Sequence, residues 1–199
     1  MNEIITLTQE LIRFRTVKNN PQEIKSGVDF IKKYLSGCGV LIQEFESAGK
    51  PSLFITYTKT KRPKLLLNGH LDVVEGEEEQ FIPKIIGNKL YGRGAVDMKA
   101  GLATMLFLMK ELSEQKPDIG LMIVSDEEIG GANGTKFLSS RGFGGEFILA
   151  PEPNHSASPE QLNITIAEKG VLWLKVSSSG KACHGSRPWL GKNAIEQLM

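Results

Sequence analysis

Cysteine and histidine are scarce in this sequence of 199 residues, which has two of the first and three of the second. The cysteines, Cys38 and Cys183, lie far apart and outside any spacing typical of a cysteine-ligated zinc site. Two distant cysteines in a chain without an export signal are typical of free thiols in a reducing compartment. We therefore predict a cytoplasmic protein.

Export signals, long hydrophobic runs and clusters of basic charge are absent as well. The N-terminus, MNEIITLTQELIRF, lacks the basic start, apolar middle and small-residue cleavage site of a signal peptide. The most apolar helical stretch, 102–109, is far too short to span a bilayer. A net charge of +1, with no basic run interleaved with aromatic residues, gives no reason to expect a nucleic acid or a membrane as partner.

The sequence does contain enough apolar residues for a packed core, with 40% hydrophobic and 24% charged residues. Apolar periodicity predicts helices at 3–14, 21–36, 98–115 and 135–140, strands at 40–45, 52–58, 64–70, 119–125 and 147–150, and a hairpin turning at Gly87-Asn88. Strand and helix alternate between residues 64 and 150, which is typical of an α/β fold. We predict a mixed, largely parallel sheet with helices on both faces.

The pattern changes after Pro159. Residues 163–170 and 171–180 are predicted to form two strands, and a loop then precedes the start of a helix at 193–199. Because the sequence stops inside this predicted helix, with no cap or glycine stop, we expect the chain to be truncated.

Groups of polar residues directly follow the strand-like apolar runs. These groups are His70 with Asp72, then Asp97, then the acidic triplet 126–128, and finally Glu152. In α/β sheets, ligands gather at the carboxyl ends of the parallel strands. The sequence therefore predicts that these side chains converge on one site.

Converging carboxylates repel one another and are costly to bury unless cations pair with them. One histidine with several carboxylates suits catalytic Zn²⁺, or Co²⁺ or Mn²⁺, better than a closed structural zinc site. Two such ions roughly 3.5–4 Å apart would hold a water and lower its pKa to about 7. The adjacent Glu127 and Glu128 offer one metal ligand and one proton shuttle. Asp72, on the same side of an extended chain as His70, suits the group that fixes the imidazole tautomer.

Each polar group has an ordinary structural explanation when it is taken alone. His70 and Asp72 could form a structural hydrogen bond, Asp97 could cap a helix, 126–128 could be a solvated loop, and Glu152 a turn residue. Their common position after apolar runs favours a shared site. Two rival functions are a non-catalytic binding module with the same fold, and nucleotide binding, which the missing G-x-G-x-x-G and G-x-x-x-x-G-K-[ST] patterns disfavour.

The segments NGHLDVV (68–74), YGRGAVDMKAG (91–101), SDEEIGG (125–131) and APEP (150–153) resemble the acetylornithine deacetylase and succinyl-diaminopimelate desuccinylase family. Its relatives include aminoacylase, glutamate carboxypeptidase and several peptidases. The resemblance covers nearly the whole chain and implies a zinc-exopeptidase-like catalytic domain. The implied activity is that of a metal-dependent amidohydrolase that removes an acyl group from an N-acyl amino acid. A dipeptidase, a carboxypeptidase and a non-catalytic fragment that retains the fold remain alternatives.

The same resemblance implies roles for individual residues. It implies two Zn²⁺ ions per complete subunit, with Co²⁺ or Mn²⁺ possible. The implied metal ligands are His70, Asp97, Glu128 and Glu152. Glu127 resembles the general base, and Asp72 the carboxylate behind the histidine ligand. The peptide bond that follows Asp97 is expected to be cis.

The end of the chain resembles the start of the family's smaller domain. The implied division is a zinc-binding catalytic domain at 1–168 and the beginning of a lid or dimerisation domain at 169–199. In the loop CHGSRP, His184 matches a histidine that reaches into a partner subunit's active site and steadies the oxyanion. The implied full-length protein is a homodimer acting on an N-acyl amino acid or short peptide. A further histidine of the family's second zinc site has no counterpart here, so we expect weak second-metal binding and little activity from this chain alone.

Overall fold

A computed structural model of the chain describes residues 2–153, 164–167, 172 and 174–199. The chain divides into two compact units, Met1–His155 and Ser156–Met199. Both β-sheets lie in the larger unit. The domain boundary implied at residue 168 stays a prediction.

The larger unit alternates helices and strands along the chain. Its elements are α1 (Asn2–Arg13), α2 (Pro21–Tyr34), β1 (Leu41–Ser47), β2 (Lys50–Thr56), β3 (Leu65–His70), β4 (Lys84–Ile86), β5 (Lys89–Tyr91), α3 (Ala100–Glu111), β6 (Ile119–Val124), α4 (Thr135–Ser140) and β7 (Phe147–Leu149). Five strands form one sheet in the order β1-β2-β6-β3-β7, and β4 pairs with β5 in a separate hairpin.

The large sheet is mixed, as predicted. β3 pairs in parallel with β6 and with β7, whereas β2 runs antiparallel to β1 and to β6. Two of the four strand pairings in this sheet are therefore parallel. The antiparallel part is the edge formed by β1 and β2, which a tight hairpin at Ala48 and Gly49 connects. Both turn residues have a positive φ, 48° and 73°, which suits a two-residue hairpin turn.

Helices cover both faces of this sheet, which confirms the predicted fold class. Alternate strand residues such as Leu53, Ile55 and Ile123 pack against α1, α2 and α3 in the main core. Their neighbours along the strands point the other way. There, Phe54, Leu66, Met122 and Val124 pack against Leu138 of α4 and Phe143. Strands β3 and β6, whose carboxyl ends precede the predicted site residues, therefore have packed side chains on both faces.

A buried lysine ties the first helix to the turn that precedes α3. Lys99 is 0% exposed, and its ammonium donates hydrogen bonds to the carbonyls of Leu11 at 2.9 Å and Phe14 at 2.8 Å. Carbonyls at a helix C-terminus lack partners within the helix, and a cation is favourable there. Burial nevertheless lowers the pKa of Lys99 to about 7.

The segment after Pro159 departs from the sequence prediction. The strands predicted at 163–170 and 171–180 lie partly outside the described residues, and their described parts, 164–167, 172 and 174–180, are not in strands. The helix predicted at 193–199 is wrong, because the segment forms turns. Its apolar residues Ile195 and Leu198 are exposed, and a short segment without a packed apolar face does not sustain a helix. In the parts of the chain that the structure describes, no helix is long and apolar enough to cross a membrane.

Candidate metal centre

The structure brings the predicted site residues together around the last residue of β3. This residue, His70, is 1% exposed, and its Nε2 lies 3.1 Å from Oδ1 of Asp97. The same nitrogen lies 3.6 Å from Oε1 of Glu152 and 3.9 Å from Oε2 of Glu127. Glu128 completes the cluster, since ligand atoms of His70, Asp97 and Glu128 all lie within 4.8 Å of one another.

The other ring nitrogen of His70, Nδ1, contacts Asp72. Nδ1 lies 2.8 Å from the backbone carbonyl oxygen of Asp72 and 3.6 Å from the carboxylate oxygen Oδ1 of the same residue. Because a carbonyl only accepts hydrogen bonds, Nδ1 carries a proton and Nε2 is free to face the carboxylates. Spacing along the strand had pointed to the Asp72 carboxylate for this contact, and the shorter contact belongs to the carbonyl.

The Asp72 carboxylate is turned toward a different part of the site. It is buried, and it accepts hydrogen bonds from the backbone amides of Glu127 and Glu128. Burial raises the pKa of Asp72, while His70 and the two amides oppose that rise. A single residue therefore contacts both the histidine after β3 and the acidic loop after β6.

Asp97 lies in an irregular turn at Ala95–Lys99, directly before α3. The turn begins at Gly94, whose φ of 76° favours glycine and where a Cβ would lie only 2.6 Å from Val73. Asp97 itself is extended, with φ −115° and ψ 100°, and its peptide bond to Met98 is cis. The expected cis bond is therefore confirmed.

Three side chains of the site, His70, Glu127 and Glu128, have raised pKa values. Burial, followed by the neighbouring carboxylates, raises the pKa of Glu127, and the same two causes raise that of Glu128, although His70 opposes both. Burial by itself would lower the pKa of His70, but the Glu152 and Asp72 carboxylates raise it to about 9. The chain thus gathers more negative charge here than one imidazolium can balance.

These residues fit a divalent cation. One imidazole nitrogen and several carboxylate oxygens are the ligands that catalytic Zn²⁺, Co²⁺ and Mn²⁺ use. His70, Asp97 and Glu128 could share one ion, since their ligand atoms lie within 4.8 Å of one another. Glu152 is near enough to His70 to join them, with 3.6 Å between Oε1 and Nε2.

Asp126 is a site-supporting residue that sequence reasoning missed. It is 1% exposed, and its Oδ2 accepts a hydrogen bond of 2.7 Å from the amide of Asn133. The other oxygen, Oδ1, is buried and has no hydrogen-bond partner among the described residues. In an acidic triplet, no sequence signal separates a buried anchor from the two residues that face the site.

His184 lies in the smaller unit, where its side chain is exposed. Its Nδ1 is 2.8 Å from Oγ of Ser186 and accepts a hydrogen bond from the amide of that residue at 3.3 Å. The role implied for His184 in a partner's active site stays a prediction.

Comparison with known proteins agrees with the geometry. The sequence profile of peptidase family M20/M25/M40 matches residues 66–183, which include every predicted metal ligand. The chain belongs to this peptidase family. The resemblance to desuccinylases inferred from the motifs is confirmed at the level of the M20 family.

Individual members of the M20 family are related to the chain at modest identity. The chain is 32% identical over 213 residues to a succinyl-diaminopimelate desuccinylase of Herminiimonas arsenicoxydans, covering 99% of this chain and 55% of that protein. It is 26% identical over 222 residues to a probable carboxypeptidase of Talaromyces marneffei, covering 98% and 48%. An M20 metallo-carboxypeptidase structure from Sulfolobus solfataricus aligns with a TM-score of 0.63 and 20% identity, over 76% of this chain and 37% of that one. The chain spans about half the length of the curated relatives it matches.

Proposed function

We propose that the full-length protein is a metal-dependent amidohydrolase that removes an acyl group from an N-acyl amino acid. The position of Glu127 carries this proposal. Its Oε2 lies 3.9 Å from Nε2 of His70, yet the ligand group of His70, Asp97 and Glu128 forms without it. A carboxylate that is not needed as a ligand, next to a candidate metal site, is the arrangement that hydrolysis of an amide requires.

A divalent cation at this site would polarise the scissile carbonyl and lower the pKa of the attacking water. Glu127 accepts the proton of that water and then donates it to the leaving amine, so one carboxylate serves as base and as acid. Burial raises the pKa of Glu127, which favours its second task. His70 keeps Nε2 available through its contact with the Asp72 carbonyl.

The proposed ion is Zn²⁺, with Co²⁺ or Mn²⁺ as functional replacements, because the ligand set mixes one imidazole with carboxylates. Two ions in each complete subunit would be held by His70, Asp97, Glu128 and Glu152. The close grouping of several carboxylates supports this count, since one ion neutralises the cluster less completely.

A cleft of about 630 Å³ beside the site supports a small substrate. Val73, Leu90 and Val96 give it apolar walls, and Asp97 and Glu128 lie on its lining. Small-molecule sites commonly have volumes of about 300–1,000 Å³ with mostly apolar walls and a few polar groups. An N-acyl amino acid has this size and this mixture of polarity.

Carboxypeptidase or dipeptidase activity is the second candidate. The Talaromyces marneffei relative and the Sulfolobus solfataricus structure bear carboxypeptidase names, and the same centre would hydrolyse a peptide amide. The two activities differ in the group on the carbonyl side of the bond. A panel of N-succinyl and N-acetyl amino acids, N-blocked dipeptides and free dipeptides separates them.

The first experiment measures metal binding and turnover in the full-length protein. We expect bound Zn²⁺ and hydrolysis of at least one substrate class in the panel. Glu127→Gln should retain the metal and lose about 10²–10⁴-fold in kcat, because the proton shuttle is gone. Glu114→Gln, at an exposed glutamate in the turn that follows α3, is the matched control. A wild-type protein that binds no divalent metal, or a Glu127→Gln variant with wild-type kcat, contradicts the proposal.

We also propose that full-length subunits form a homodimer in which His184 serves the partner's site. Its exposed side chain supports this, because the imidazole, whose Nδ1 contacts Ser186, can present its other ring nitrogen to another surface. His184→Ala should lower kcat without changing the metal content. If kcat is unchanged, His184 has no catalytic part.

A further inference from the structure

The loop that carries Glu127 and Glu128 has almost no apolar packing. The helical turn Glu127–Ile129 contains no buried residue, and Ile129 is 44% exposed. Two glycines with positive φ, Gly130 at 99° and Gly131 at 62°, follow it. A loop without buried apolar side chains is held mainly by its polar contacts. The contacts of this loop therefore decide where its two carboxylates point.

Backbone hydrogen bonds close the turn from within, such as that from the amide of Gly131 to the carbonyl of Asp126 at 2.8 Å, and the carboxylates of two buried aspartates supply further contacts. Oδ1 of Asp72 accepts a hydrogen bond of 3.2 Å from the amide of Glu127, and Oδ2 accepts one of 3.1 Å from the amide of Glu128. At the far end of the loop, Asp126 accepts from the amide of Asn133 at 2.7 Å. Hydrogen bonds to an ionised acceptor are roughly twice as strong as neutral ones. The single carboxylate of Asp72 thus accepts hydrogen bonds from the backbone of both glutamates.

The same residue also holds the histidine, but with a different atom. The Asp72 carbonyl, not its carboxylate, lies 2.8 Å from Nδ1 of His70. We propose that the Asp72 carboxylate is a positioning group that clamps the 126–131 loop, and so fixes Glu127 and Glu128 relative to His70. The effect of the clamp on a bound metal rests on the proposed function. The clamp itself is a property of the loop and does not.

Asparagine at position 72 tests the clamp because it separates these two contacts. Its backbone carbonyl can still meet Nδ1 of His70, and its side chain has nearly the same volume. Its amide, however, has a donating NH₂ group in place of one of the two accepting oxygens, so it cannot reproduce the arrangement in which each oxygen accepts from one backbone amide. The NH₂ group would face the other amide donor, which leaves that donor without a partner.

Amide hydrogen exchange of the metal-free chain is the direct measurement. In the wild type, the amides of Glu127 and Glu128 should exchange at least tenfold more slowly than that of exposed Ala132, after correction for intrinsic rates. Asp72→Asn should remove most of this protection at one or both glutamates, while the amides of β3 keep theirs. Asp118→Asn, at an exposed aspartate before β6, is the matched control and should change neither.

Several outcomes contradict the clamp. If the amides of Glu127 and Glu128 exchange as fast as that of Ala132 in the wild type, the clamp does not exist. This measurement uses the wild type alone, so it does not depend on whether a variant folds. If Asp72→Asn leaves the exchange of both amides unchanged but alters the tautomer of His70, seen in its ¹⁵N shifts, the carboxylate acts on the imidazole instead. Equal acceleration across β3 and the loop would mean a general loss of stability rather than a clamp.

Cobalt provides the functional readout. When Co²⁺ is added, the visible spectrum of Asp72→Asn should differ from that of the wild type, and its affinity should fall about tenfold or more, as is typical when a group behind the metal ligands is removed. A wild type that binds no Co²⁺ refutes the proposed function while the exchange result still stands. Wild-type affinity and spectrum in Asp72→Asn, together with lost protection, would show that the clamp does not serve the metal site.

Discussion

Replacing the buried Lys99 with methionine tests how the metal-site turn is anchored. Methionine retains the unbranched apolar part of the side chain and removes the ammonium group. The carbonyls of Leu11 and Phe14 then lose donors that lie 2.9 and 2.8 Å away. Leu11 lies in the last turn of α1 and Phe14 directly follows the helix. Each carbonyl also accepts one backbone hydrogen bond, from the amide of Phe14 at 3.3 Å and from that of Thr16 at 2.9 Å, so the variant loses the charged donor and keeps the weaker one.

The expected loss combines two opposing effects. A hydrogen bond from a charged donor contributes about 1.5–3 kcal/mol, so the loss of both sets a gross loss of about 3–6 kcal/mol. Methionine also avoids the desolvation of a buried cation, which lowers the pKa of Lys99 to about 7 in the wild type. We therefore expect a net decrease of about 2 kcal/mol in the free energy of unfolding of the larger unit.

Urea unfolding followed by far-UV circular dichroism measures this change, because the described α-helices all lie in the larger unit. Both tryptophans, at positions 173 and 189, lie beyond residue 155, so their fluorescence would report on the other unit. Lys136→Met, at an exposed lysine of α4, is the matched control and should change the free energy by less than about 0.5 kcal/mol. A Lys99→Met variant as stable as this control would show that the two hydrogen bonds do not anchor α1.

Two further predictions concern metal and pH. His70→Ala should lower the affinity for Zn²⁺ at least a hundredfold by isothermal titration, because the only imidazole in the ligand group is lost, and unchanged affinity would place the metal elsewhere. Burial raises the pKa of Tyr57 to about 12, and its hydroxyl donates to the carbonyl of Met109. A folded pKa above the unfolded value of 10.0 gives stability that is present below pH 10 and lost as pH rises towards 12. Between about pH 9 and 11 the wild type should therefore lose about 1 kcal/mol more than Tyr57→Phe in urea unfolding, and equal losses would contradict the shift.

Much of the fold follows from local patterns in the sequence. The apolar runs that become β3 and β6 are buried on both faces, so they stand out as continuous hydrophobic stretches. Asn20 and Pro21 mark the start of α2, where the Asn20 side chain accepts a hydrogen bond from the amide of Glu23. These features involve residues close together in sequence, so the sequence alone is sufficient to predict the strands and the start of the helix.

The parts that could not be predicted depend on long-range contacts. The antiparallel position of β2 beside β6 is set by packing between segments more than sixty residues apart in sequence. Apolar periodicity at 193–199 predicted a helix, yet periodicity stabilises a helix only when another surface covers the apolar face, and Ile195 and Leu198 are exposed. A sequence pattern predicts the secondary structure that a segment forms when it packs against a neighbour. The pattern does not predict whether another segment covers the apolar face.

The same distinction explains the site. The order of apolar run and polar group predicted that His70, Asp97, Glu127, Glu128 and Glu152 would converge, because the carboxyl ends of parallel strands share one edge. Which atom of Asp72 meets which partner could not follow from that rule. Residues two apart on a strand share a side, and this predicts a contact between the His70 and Asp72 side chains. After His70, however, the chain leaves β3, so the Asp72 carbonyl turns toward the imidazole and the carboxylate is free to reach the loop after β6. Strand-based reasoning therefore fails at Asp72, two residues beyond the end of β3, where the backbone no longer follows the strand.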